Sequence, residues 1–253
     1  MEFGLAQYGA LALATGAVGF VLGGLVKGVI GFGLPLIAVP ILASVIDPKV
    51  AVAMMTVPVL SSNVWLVAVS GRLGELARRF WPLIIALSIC TFIGAQFFAR
   101  MDAQIASLMV GIGIILVCLA QAFPLRVNIQ ARQESWLGPV VGTIAGTMGG
   151  LTNFFAPALV AYLMALKVDK DMFVAAMALF FVVASTPLFG SLAMHSILDL
   201  DVLWVSALAT VLVLLGLLLG AALRRVIPQA TFEKILLGGL ALVGLNLIRR
   251  GLF

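Results

Sequence analysis

The residues able to do chemistry in this chain are few, and they gather at two interruptions of otherwise apolar sequence. The first, "VKGVIGFGLPLIAVP" at 26–40, holds Lys27, Gly28, Gly31, Phe32 and Gly33 ahead of Pro35. The second, "GGLTNFFAP" at 149–157, holds Gly150, Thr152, Asn153 and Phe154 ahead of Pro157. A glycine-rich break in a membrane helix frees backbone N–H and C=O groups, which persist in hydrocarbon only where protein or a wet cavity satisfies them. A helix that restarts after the break presents unpaired N–H donors and partial positive charge, a setting that suits an anion. Pro35 and Pro157 fit the first turn of such helices, where a missing N–H costs least. Two helix starts, near Phe32–Pro35 and near Phe154–Pro157, aimed at each other from opposite sides, would seat a negative solute without any formal charge. The competing reading is that these glycines only let helices pack closely, as the spacings Gly19 to Gly23 and Gly24 to Gly28 allow.

The side chains around the breaks carry paired readings too. Lys27 either marks a solute pathway or, if the first apolar segment crosses fully, caps it at the cytoplasmic side. Thr152 and Asn153 can hydrogen-bond an oxyanion or satisfy freed backbone. Asn63, in the run Ser61-Ser62-Asn63, and Ser185, beside Thr186, lie midway along their segments and either line a site or bond between helices. No Asp or Glu falls well inside an apolar segment, which argues against a buried carboxylate proton relay. His195, the only histidine, reads as a solvated loop residue. Cys90 and Cys118 show neither metal nor redox spacing, and no His, Cys and carboxylate constellation supports catalysis. The expectation is therefore no enzyme, no metal site and no cofactor.

The elements that must position these residues follow from composition. With 63% hydrophobic and 10% charged residues among 253, the chain has too little polar surface for a water-soluble globule, and apolar runs recur from end to end. One transmembrane domain over 1–253 is expected, all-helical and multi-pass, with its N-terminus retained because no basic residue precedes the first apolar run. The scattered Lys and Arg form no basic stripe, so the net charge of +5 does not indicate nucleic acid.

Shifting the sequence by 122 residues superposes Gly24 on Gly146, Gly28 on Gly150, Phe32 on Phe154, Pro35 on Pro157, Asp47 on Asp169, Met55 on Met177 and Gly94 on Gly216. That ordered series indicates a duplicated half. The first repeat covers about 5–123 and the second about 136–250, with the join in 124–135. Each half divides into five apolar segments: about 5–26, 29–46, 50–70, 81–99 and 104–123, then 136–149, 151–166, 172–194, 202–222 and 232–248. The opening pair of the second half totals about 30 residues, whereas two crossings need roughly 40, so it reads as two half-length helices meeting inside the membrane. The same is open for 5–46, although 5–26 alone is long enough to cross.

A re-entrant pair leaves each half with an odd number of crossings, so the halves must be inverted repeats. With the N-terminus outside, ten Lys and Arg of the connectors fall in the cytoplasm and four outside, Lys27 left uncounted. The acidic loop at 195–201 then lies outside, and Arg249-Arg250 is the dissenting pair.

The stretch "GVIGFGLPLIAVPILASVIDPKVAVAMMTVPVLSSN" at 28–63 resembles the TauE/SafE family of sulfite exporters, also called the 4-toluene sulfonate uptake permease family. Length and duplication fit that family over nearly the whole chain. The resemblance implies transport of sulfite, sulfonates or related small acids across the bacterial cytoplasmic membrane, with Gly28, Gly31, Gly33, Gly149 and Gly150 near the substrate. The second half departs from the family's glycine-rich pattern at Thr152 and Asn153. The resulting expectation is a secondary transporter of a small anion working by alternating access, with export the expected direction because an interior-negative potential expels anions, whereas inward concentration needs a coupling ion and no buried carboxylate relay is present in the sequence to carry a proton. A passive anion channel or uniporter is the alternative. The partners expected are the anion and the lipid bilayer, with a homodimer as the one protein assembly kept in view.

Overall fold

The computed structural model describes residues 9–122, 131–223 and 229–252. The N-terminal residues 1–8, most of the join expected at 124–135, and Arg126, Arg224 and Arg225 lie outside them.

The described residues form eleven α-helices and no strand: α1 (Ala10–Ile30), α2 (Leu34–Ala43), α3 (Pro48–Ala53), α4 (Thr56–Ser70), α5 (Leu73–Arg100), α6 (Ala103–Ala122), α7 (Ala131–Thr152), α8 (Ala156–Ala165), α9 (Lys170–Met194), α10 (Leu200–Leu223) and α11 (Gln229–Leu252). Six stretches among them are long and apolar enough to cross a membrane: α1, α3 with α4, α5, α6, α9 and α10. The all-helical, multi-pass expectation holds. Many large apolar side chains, among them Trp65, Phe97, Leu218 and Leu242, are exposed, as a lipid-facing surface requires.

Two segment boundaries are corrected. The opening pair of the second half is not two half-length helices: α7 has 22 residues, about 33 Å at 1.5 Å per residue, and only α8, with 10, is half-length. The apolar run at 136–149 understates α7 because its first turn is the polar "ARQES", where Glu134 receives two hydrogen bonds from Arg79 of α5, at 2.7 and 3.1 Å. The first half has the same form, with α1 of 21 residues and α2 of 10. The expected segment 81–99 likewise starts early, at Leu73, because the amphipathic turns ahead of it join the apolar run across a kink at Phe80, two residues before Pro82.

The third expected segment divides into α3 and α4 at Met54–Met55. The backbone groups freed there find a partner on α10. The Val57 N–H donates to Ser206 Oγ at 3.0 Å, and the Ser206 hydroxyl donates to the Met54 carbonyl at 2.7 Å. Ser206 is fully buried, so Ser206→Ala strands a donor and an acceptor away from water. A loss of about 1–3 kcal/mol is expected in chemical denaturation, with a smaller loss for Ser206→Thr, which keeps the hydroxyl.

Helix directions follow from the seams. At one end of the molecule Arg72 meets Asp169 at 3.5 Å, and at the other the Arg100 Nε–H donates to His195 Nε2 at 3.4 Å, so α5 and α9 run in parallel between an Arg72 end and an Arg100 end. On α7, Gly142, Gly146 and Gly150 sit in turn against Leu83, Leu87 and Thr91–Ala95, so α7 runs parallel to α5. On α1, Gly24 and Gly28 sit against Val213 and Leu217–Ala221, so α1 runs parallel to α10, which returns from the Arg100 end. Hence α1 and α7 point in opposite directions. The seams are backbone-close: a Cβ at Gly216 would overlap the Val21 carbonyl oxygen, and one at Gly24 would overlap that of Val213.

Candidate functional site

Each short helix begins after a sharp reversal of the chain. At the first, Gly31 and Gly33 take φ of +96° and +97° on either side of Phe32, and α2 starts at Leu34 with Pro35 in its first turn. These are left-handed conformations that cost a side-chain-bearing residue and are free to glycine. The Gly31 N–H closes α1 on the Lys27 carbonyl at 2.8 Å. At the second, Asn153 takes φ of +65°, and α8 starts at Ala156 with Pro157 in its first turn. Asn is among the side-chain-bearing residues that tolerate this region best. Thr152 stabilises the turn locally: its hydroxyl donates to the Met148 carbonyl at 2.7 Å and accepts from the Phe154 N–H at 3.3 Å.

The two reversals meet. Gly33, Pro35 and Leu36 from the first and Asn153, Phe154, Phe155, Ala156 and Pro157 from the second line one cleft of about 10 Å³, closed by Phe181 of α9. The N-terminal ends of α2 and α8 thus converge in the interior, as the sequence suggested.

A larger cavity of about 470 Å³ adjoins the cleft through Gly33, Pro35 and Phe181. Its lining runs from Lys27, Gly31, Phe32 and Asn63 out to Lys167 and Lys170, which flank the α8–α9 connector at the Arg72 end. Among the described residues three lysines and no carboxylate line it. Lys27 is 7% exposed and stands in the last turn of α1. Its Nζ donates to Ser62 Oγ at 2.6 Å, and Ser62 in turn donates to the Pro58 carbonyl. No ion pair to Lys27 is formed among the described residues. The two readings of Lys27 merge, since α1 is full length and the lysine near its end still faces the cavity. Asn63 uses Nδ2 on the Val59 carbonyl, at 2.8 Å, and leaves its Oδ1 for other partners.

The remaining expected residues divide. Gly28 and Gly150 lie at close helix contacts: a Cβ at Gly28 would overlap the Leu217 oxygen, and one at Gly150 would lie 2.6 Å from that of Thr91. Thr152 forms the second turn and lies outside the linings of the cavity and the cleft. Ser185 is fully buried outside the open cavity. Among the described residues, the buried side-chain atoms without a hydrogen-bond partner are Asn153 Nδ2 and Oδ1 and the hydroxyls of Thr91, Ser185 and Ser191. Sequence reasoning missed Lys167, Lys170, Phe173 and Phe181 as lining residues, because it reads the two lysines only as markers of topology.

In the α8–α9 connector Asp169 binds both the start of α9 and the α4–α5 connector. Its carboxylate accepts from the Met172 N–H at 2.8 Å and pairs with Arg72. The Met172 bond first, and the Arg72 charge after it, hold Asp169 below the ordinary carboxylate range, while the bond to Glu75 holds Arg72 up. A depressed carboxylate contributes stability above its unfolded-state range and loses it as the pH falls through its folded-state value. Asp169→Asn is therefore expected to lower Tm near neutrality, and acidification below the carboxylate range should bring parent and variant Tm together.

Fold and site together define a polytopic helical membrane protein in which the first of two paired helix breaks faces a lysine-lined cavity and the second adjoins it through a narrow cleft. The chain belongs to the TauE/SafE sulfite exporter family, whose model matches residues 15–247, and this is a family of transporters rather than enzymes. No curated protein and no solved structure gives a significant match.

Proposed function

We propose that the protein is a secondary transporter exporting a small anion, sulfite, a sulfonate or a related organic acid, by alternating access between two inverted repeats. The observation that carries this reading is the cavity with Lys27, Lys167 and Lys170 and no carboxylate, ending where two helix N-termini converge. Exposed lysines at the mouth draw anions in, the buried ammonium binds them, and the dipolar helix ends extend the attraction inward. Opposed directions of α1 and α7, each followed by a 10-residue helix, support the inverted-repeat reading.

By the excess of basic connectors, the Arg72 end faces the cytoplasm of a bacterial inner membrane and the N-terminus faces out. The cavity then loads from inside. An interior-negative potential drives each expelled negative charge by about 2.3 kcal/mol per 100 mV, so export needs no coupling ion. A thermal-shift screen of sulfite, sulfonates and carboxylates tests the site: at least one should stabilise the parent and fail to stabilise Lys27→Met. Stabilisation of both proteins alike by every anion would place binding elsewhere.

A further inference from the structure

The shift of 122 residues pairs Lys27 with Gly149, Gly31 with Asn153, Gly33 with Phe155 and Asn63 with Ser185. The first member of every pair lines the open cavity. The second members are shut away. A Cβ at Gly149 would overlap Phe155 Cδ1, so the Phe155 ring lies directly over that glycine. The ring is fully buried and packs edge-on against Phe181, 6.1 Å between centroids at 84°. Asn153 and Ser185 are 2% and 0% exposed, yet Asn153 Oδ1 and Nδ2 and Ser185 Oγ have no partner. Ser185 lies one helical turn beyond Phe181 on α9, on the same side of that helix. Buried polar atoms are ordinarily hydrogen-bonded, and exceptions call for a reason.

We infer that Gly149, Asn153 and Ser185 form a second solute-binding surface, closed in this conformation by the Phe155 ring and exposed towards the Arg100 end when that ring leaves Gly149. The orphaned atoms are then the donors and acceptors of the other access state. The inference rests on the anion reading above and deepens it. Because Gly149 stands where the first half has Lys27, this second surface offers an oxyanion only neutral donors, the Asn153 amide and the Ser185 hydroxyl. Within the site an anion meets the Lys27 ammonium on the first surface and a glycine, Gly149, at the matching position of the second, an asymmetry suited to capture at one face and release at the other.

The test is thiol accessibility in proteoliposomes. Ser185→Cys is placed in a background with Cys90 and Cys118 replaced by alanine, and an anionic, membrane-impermeant methanethiosulfonate is applied from each side. Lys170→Cys and Asp199→Cys identify the two faces. Slow labelling is expected with Phe155 in place. Phe155→Ala and Gly149→Ala should each accelerate it at least tenfold from the Arg100 end alone, the second by driving the ring out rather than deleting it. Should Phe155→Ala fail to fold, Gly149→Ala carries the test. No acceleration, or equal acceleration from both faces, overturns the gated surface. Acceleration that sulfonates and carboxylates, which do not react with the thiosulfonate, all fail to slow upholds the gate and removes the anion reading beneath it.

Discussion

Lys27→Met is expected to weaken anion binding by about 10- to 150-fold while leaving the protein as stable as the parent or more so. The affinity loss follows from a charge-assisted hydrogen bond worth about 1.5–3 kcal/mol in a water-poor site. The stability result follows from burial: Lys27 is 7% exposed, forms no ion pair among the described residues, and its buried ammonium costs desolvation that one bond to the neutral Ser62 hydroxyl offsets only in part. Methionine keeps much of the stem's volume and removes that cost. Titration calorimetry with the anion found by the thermal-shift screen reads the first quantity, and the Tm of the unliganded protein reads the second. A group kept for structure would behave the other way, with lower Tm and unchanged affinity. Lys170→Ala, at the exposed mouth, should instead slow association several-fold in low salt and leave affinity nearly unchanged in high salt.

Gly31→Ala is expected to destabilise the protein through backbone strain rather than crowding. The φ of Gly31 is +96°, and a Cβ there would meet nothing within 4 Å. Any loss on Gly31→Ala is therefore conformational, about 1–2 kcal/mol. Gly31→Asn should recover much of that loss, because the residue 122 positions later is Asn153, which holds φ of +65° at the matching reversal. Gly33→Val should be worse than either: its φ is +97°, a β-branched residue is a poor occupant of that region, and the Cβ would stand 3.3 Å from Val26 Cγ1. Thermal unfolding checks the ranking, with Tm highest for the parent, then falling through Gly31→Asn and Gly31→Ala to Gly33→Val. A Gly31→Ala protein as stable as the parent would show that the left-handed turn is not required.

The breaks are legible in the sequence because glycine and proline mark backbone conformations that other residues avoid, so "GFGLP" and "NFFAP" announce where α2 and α8 begin. The 122-residue shift is legible because helix starts and close seams reuse the same residue types, as in Gly24 with Gly146 and Gly94 with Gly216. Helix ends are less so. Apolar runs report immersion in lipid, whereas helices extend beyond it through polar turns, as α7 does at "ARQES" and α5 at "LGELARR". The function of a given glycine is not legible at all. Gly28 and Gly31 are three residues apart, yet one packs on the α10 backbone and the other faces open space, a distinction that depends on which way α1 is turned. Lys167 and Lys170 are hidden for the same reason, since a connector lysine reports topology in sequence and becomes a cavity wall only once α8 folds back against α7.

Export of an anion without a coupling ion, as proposed for the cavity at the Arg72 end, moves net charge across the membrane. Capacitive currents from proteoliposomes on a solid support, after a rapid jump in sulfite, an organosulfonate or a small carboxylate, measure that movement. A saturable current of negative charge with at least one of these anions is expected, scaling with membrane potential and lost in Lys27→Met. No current with any of the three classes, or a current that Lys27→Met leaves intact, would contradict it.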